Sequence, residues 1–158
     1  MSLKQLFIER NNRSKAYYLL DNIFSAVTHG IGFGLSVAGL VILIVTAVST
    51  GSPIRVVSFT LYGTSLVLLY LFSTLYHSLI FTKANKVFQI FDHTSIFILI
   101  AGSYIPYTLV AIGGMKGWWM FGLITGLAVL GILYYILIPG NHIIFNTLFR
   151  NPVRIIVS

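Results

Sequence analysis

The 158-residue sequence contains no cysteine and only three acidic residues, Glu9, Asp21 and Asp92. The lack of cysteine excludes disulfides and thiolate metal sites. Charge of either sign is scarce: Asp, Glu, Lys and Arg make up 8% of the chain, against about 25% in a soluble domain. That is too little polar side chain to coat a soluble globule. Hydrophobic residues make up 57% of the chain, and the mean hydropathy is +0.92. These absences point to an all-α, polytopic membrane helix bundle, because a helix satisfies its own backbone in lipid. The ten basic residues give a net charge of +7. They sit in the gaps between apolar runs, so they report topology rather than a nucleic-acid surface, and no nucleic-acid partner is expected.

Residues 1–22 form a basic head with Lys4, Arg10, Arg13 and Lys15, expected as a short helix at the membrane surface. The transmembrane bundle is expected over 23–139, with four spans at about 23–48, 56–80, 87–112 and 117–138. Each is long enough to cross about 30 Å of hydrocarbon at 1.5 Å per residue. The first follows a polar head and lacks a small-residue cleavage site, so it reads as a retained span. Ser49-Thr50-Gly51-Ser52-Pro53, Thr82-Lys83-Ala84-Asn85-Lys86 and Gly113-Gly114-Met115-Lys116-Gly117 are turns by composition. Trp118 and Trp119 stand at the depth of an interfacial aromatic belt. Residues 140–158 are expected as a cytoplasmic or interfacial tail that enters a fifth helix without completing it.

Eight of the ten basic residues fall in the head, the 82–86 loop and the tail, leaving Arg55 and Lys116 opposite. The positive-inside rule then places the N-terminus in the cytoplasm. In that topology Ser73 and His77 lie at the inner end of span two. Asp92, near the start of span three, and Thr28 and His29, in span one, occupy the same layer. Polar groups at such a depth are costly unless they face a cavity, a metal or each other. Small and polar residues line one side of span one (Ser25, Thr28, His29, Gly32, Ser36, Gly39) and of span three (Asp92, Ser95, Leu99, Gly102, Ser103, Pro106).

Ser73 and His77 are four residues apart and share a helix face. His77 reads either as an imidazole hydrogen-bonded to Ser73 or Tyr76 or as a metal ligand. Ser73 has no G-x-S-x-G context, so a nucleophile elbow is not supported. Asp92 lies late for a helix cap and is read as inward-facing: holding water, orienting a histidine or relaying protons. His93 projects about 100° away from Asp92 and is secondary. His29 is divided evenly between packing and function, and His142 carries no assigned role. A zinc site needs three or four protein ligands, and the residues alone do not display a full set.

Three segments carry a resemblance. Asp21-Asn22-Ile23-Phe24-Ser25-Ala26-Val27-Thr28-His29-Gly30-Ile31-Gly32 resembles the opening of the hemolysin III family. Ser73-Thr74-Leu75-Tyr76-His77 resembles its S-x-x-x-H element, and Phe91-Asp92-His93 through Tyr104-Ile105-Pro106 resembles its third-helix signature. The family comprises bacterial relatives of the adiponectin and progestin receptors, with seven helices. It belongs to a wider group of proposed metal-dependent membrane hydrolases that includes the alkaline ceramidases. The resemblance implies a bacterial cell-membrane protein with a zinc ion in the cytoplasmic half of the bundle. His77 would be the metal ligand, Ser73 would stand one turn away beside the site, and Asp92 would hold a zinc-bound water, so that Asp92 and Ser73 are the expected catalytic residues. The family opening expects two acidic residues where this chain has Asp21-Asn22, and an asparagine where it has Ser25. The family's two further histidines, in an H-x-x-x-H element of helix seven, have no counterpart here, so the chain is expected to be the truncated first part of the fold.

Two functions follow as expectations. One is a zinc-dependent membrane hydrolase of a lipid amide or ester, or a receptor-like protein, linked by the family name to cytolysis. The other is a non-enzymatic proton or ion relay, a structural homo-oligomeric bundle, or an inactive fragment. Membrane lipid is the expected partner in the first.

Overall fold

The computed structural model describes residues 3–137, with side chains from Ser14 onward. The expected tail over 140–158, including its fifth-helix start, lies outside the described residues. Four helices are present and no strand occurs among the described residues: α1 (Leu3–Ser49), α2 (Pro53–Ser78), α3 (Asn85–Ile105) and α4 (Gly114–Leu137). A π-helical turn, Pro106–Ile112, extends α3. All four are long and apolar enough to cross a membrane, the third with its π-helical extension. The architecture is all-helical, as composition requires.

The basic head is no separate helix: α1 runs unbroken for 47 residues through the expected boundary at residue 22. No glycine or proline interrupts the chain between Leu3 and His29, so nothing breaks the i→i−4 ladder there. Each helix packs against its neighbour in sequence, α1 on α2, α2 on α3 and α3 on α4. Gly51, at φ +65°, turns the chain into α2, which opens on Pro53, where a missing N–H is harmless. At the other end of α2 the fully buried Asn85 donates from Nδ2 to the Tyr76 carbonyl at 2.8 Å, capping the last turn.

The packing is inverted relative to a soluble protein. Among the described residues the buried positions are mostly hydroxyls and amides (Ser36, Ser58, Ser65, Ser73, Gln89 and Ser95 among them), and the buried apolar residues are Ala47, Ile105 and Ala128. Large aliphatic side chains point outward. This is the pattern of helices surrounded by lipid, where small residues let backbones approach. Gly102 meets Ser65, Gly63 meets Leu40, and Gly32 meets the ring of Tyr70.

Pro106 explains the π-helical turn. It cannot donate to the preceding turn, and the helix beyond it closes with a five-residue bond from the Gly113 N–H to the Thr108 carbonyl at 3.0 Å. Gly113 and Gly114, at φ +62° and +56°, then reverse the chain. Gly117 on α4 packs directly on the Thr108 backbone, where a Cβ would overlap the carbonyl oxygen.

Two substitutions test this packing through thermal unfolding in detergent. Gly117→Ala drives a methyl into backbone and is expected to destabilise by about 1–3 kcal/mol. Ser58→Ala removes a buried hydroxyl that has no hydrogen-bond partner, and it is expected to be neutral or stabilising.

Candidate functional site

The site grows from the register of α1 against α2. The helices are antiparallel, so positions that ascend along α1 meet positions that descend along α2. Asn22 faces His77, His29 faces Ser73, Gly30 faces Thr74 and Gly32 faces Tyr70. His77 Nδ1–H donates to Asn22 Oδ1 at 3.0 Å, and Asn22 Nδ2 donates to the Tyr18 carbonyl at 2.7 Å. Ser73 Oγ and His29 Nδ1 share a hydrogen bond. The two imidazoles stand edge to face with ring centroids 5.7 Å apart. Ser73 and Asn22 are buried, and both histidines are half-buried.

α3 closes the layer from the other side of α2. Asp92 lies within electrostatic reach of His77. Its Oδ2 stands 3.7 Å from His93 Nδ1, although that nitrogen donates at 2.8 Å to the Gln89 carbonyl one turn back. His93 makes its ring contacts with tyrosines. It stacks on Tyr135 of α4 at 5.4 Å and meets Tyr76 at 6.3 Å.

Sequence reasoning singled out Ser73, His77 and Asp92, and the fold brings Ser73 and His77 together with His29, with Asp92 alongside. Thr28 does not join them: it is exposed, and its hydroxyl turns back to the Phe24 and Ser25 carbonyls. Ser103, expected on the inner stripe of α3, is likewise exposed. Asn22 was missed, having been read as the end of the head. Its signal is spacing: residues 22 and 29 are seven apart, two turns on one face.

A zinc ion can be tested against these donors. His77 presents one imidazole whose Nδ1 is already engaged, as a ligand histidine's distal nitrogen usually is. Among the described residues, however, no group of three or more His, Asp or Glu side chains is placed to hold a metal by itself. A zinc ion held by His77 would need further ligands beyond the described residues.

A family model described as "Haemolysin-III related" matches residues 17–155. The chain belongs to the haemolysin III family. It is similar to Hemolysin-3 of Bacillus cereus, with 44% identity over 131 residues, covering 83% of this chain and 60% of that protein. It is similar also to the Hemolysin-3 homolog of Bacillus subtilis (strain 168), with 40% identity over 131 residues, covering 83% of this chain and 62% of the relative. The chain thus spans about three-fifths of the length of these two haemolysin III relatives. No solved structure matches.

The His29–Ser73 contact ties α1 to α2, and losing the hydroxyl leaves a half-buried imidazole nitrogen without that partner. Ser73→Ala is expected to destabilise by about 0.6 kcal/mol and up to about 2. Thr28→Ala, on the exposed side of the same turn, should stay within about 0.5 kcal/mol. Thermal unfolding of the two variants side by side checks the difference.

Proposed function

We propose that this haemolysin III protein is a multi-pass membrane protein whose polar layer is part of an intramembrane zinc site that hydrolyses a lipid amide or ester. The observation that carries the reading is the convergence of His77, His29, Ser73 and Asn22 at one level of two apolar helices, with Asp92 added from a third. Ionisable groups are not gathered at such a depth without a use. Zinc, when bound, supplies a Lewis acid that polarises a carbonyl and brings the pKa of a water to about 7.

The chain's own residues have distinct parts in this reading. His77 offers an imidazole nitrogen to the metal. Asp92 accepts a proton or orients water beside His77. Ser73, held by His29, offers a hydroxyl to a substrate oxygen. The surrounding aliphatic faces keep bulk water out and admit lipid sideways. The lysis that the relatives' names imply would, in this reading, be a consequence of lipid chemistry. By the positive-inside count the layer belongs in the cytoplasmic leaflet with the N-terminus inside, and the Bacillus relatives suggest a bacterial cell membrane around it.

A second reading has its own observation. His29, His77, Tyr76, His93 and Tyr135 form a series of ring contacts from α1 to α4, each at 4.9–6.3 Å. Such a series suits a proton relay in which Asp92 takes part.

Metal analysis of the purified chain beside His77→Ala separates the two. Zinc that co-purifies with the wild type and is lost from His77→Ala supports the metal site. Equal zinc in both removes His77 as a ligand. Proton flux in liposomes that vanishes with Asp92→Asn and ignores chelators would favour the relay.

A further inference from the structure

We propose that Asn22 is a positioning residue that fixes the proton of neutral His77 on Nδ1 and leaves Nε2 as its lone-pair nitrogen. The inference rests on His77 being the functional group of the layer, and it deepens that reading by naming what prepares the group.

The argument begins one turn before Asn22. The Tyr18 carbonyl can only accept, and it takes a hydrogen bond from Asn22 Nδ2 at 2.7 Å. That commits the NH2 end of the amide and turns Oδ1 toward His77 Nδ1, 3.0 Å away. An amide oxygen also can only accept, so Nδ1 must carry the hydrogen. A neutral imidazole has a single N–H, and Nε2 is therefore bare. The opposite tautomer would set two lone pairs against each other at a residue only 7% exposed, where water cannot relieve the mismatch. Histidine free in water prefers that opposite tautomer, so the environment must impose this one.

The other histidines sharpen the assignment. His29 faces a serine hydroxyl, which donates or accepts equally well and imposes no tautomer. His93 donates from Nδ1 to a backbone carbonyl, so no side-chain replacement at Asn22 should alter it. Asn22 is thus the hydrogen-bond partner that dictates which nitrogen of His77 receives a metal ion or a proton. Its place on α1 means that the contact between α1 and α2 is what prepares α2's imidazole.

Nitrogen-15 imidazole spectra of the full chain in detergent, with chelator present and at about pH 8 where the ring is neutral, read the tautomer directly. Wild-type His77 is expected in the Nδ1–H form. Asn22→Leu should shift it to the Nε2–H form or to an exchanging mixture, with His93 unchanged. Asn22→Asp loses the donor to the Tyr18 carbonyl but keeps an acceptor-only oxygen for His77, so Nδ1 should stay protonated. Zinc affinity, measured by chelator competition, should fall about 10–100-fold in Asn22→Leu and stay near wild type in Asn22→Asp. A wild-type His77 protonated on Nε2, or a folded Asn22→Leu with both readouts unchanged, overturns the proposal. If Asn22→Leu does not fold, the wild-type spectrum alone decides the tautomer. Equal zinc binding by wild type and His77→Ala would overturn the metal reading, while the spectra still decide on Asn22.

Discussion

A polar side chain in hydrocarbon has no water to turn to, and the interface between α1 and α2 is shaped by that constraint. Asn22, His29, Ser73 and His77 have few ways to satisfy their hydrogen bonds, and one antiparallel register satisfies all four. The same register seats Gly30 on Thr74, Gly32 on the Tyr70 ring and Gly63 on Leu40. Each interhelical hydrogen bond in a membrane contributes only about 0.6 kcal/mol on average and up to about 2. Specificity is therefore the larger effect: sliding α1 by a turn would break both cross-helix bonds and push Tyr70 into a side chain larger than glycine.

From this interface the remaining features follow in order. α2 carries the two polar groups that α1 engages, and its opposite side receives α3, bringing Asp92 near His77. Asn85 holds the turn between α2 and α3 by capping Tyr76, the residue beside His77. The π-helical turn after Pro106 and the close contact of Gly117 with Thr108 set where α4 returns, which brings Tyr135 against His93. A haemolysin III chain thus uses small residues to fix helix spacing and a few polar ones to fix helix register.

Much of this was legible in the amino acids. Four apolar runs with basic gaps can only be membrane helices, and an uncharged background makes Ser73, His77 and Asp92 conspicuous. What could not be read was which side of α1 faces inward. Thr28 and His29 are adjacent, so at most one can point at α2. The hydroxyl can satisfy itself on its own helix, whereas the imidazole needs a partner, and the structure turns His29 in and Thr28 out. Asn22 was hidden for another reason. It stands before the apolar run begins, and only the unbroken continuation of α1 through the head reveals that it reaches His77. Ser103 misled in the way Thr28 did, with a hydroxyl content to bond its own Ile100 carbonyl on an exposed face.

The register of α1 against α2 is the claim on which the layer stands, and a chain without cysteine allows it to be read cleanly. A Cβ on Gly30 would lie 3.7 Å from Thr74 Cγ2, close enough for a disulfide between helices. Val27, 55% exposed, points away from α2. In native membranes under mild oxidation, Gly30→Cys/Thr74→Cys should cross-link readily and Val27→Cys/Thr74→Cys should not. Failure of the first pair to cross-link, or equal cross-linking of both, would contradict the register and with it the joining of His29 to Ser73 and Asn22 to His77.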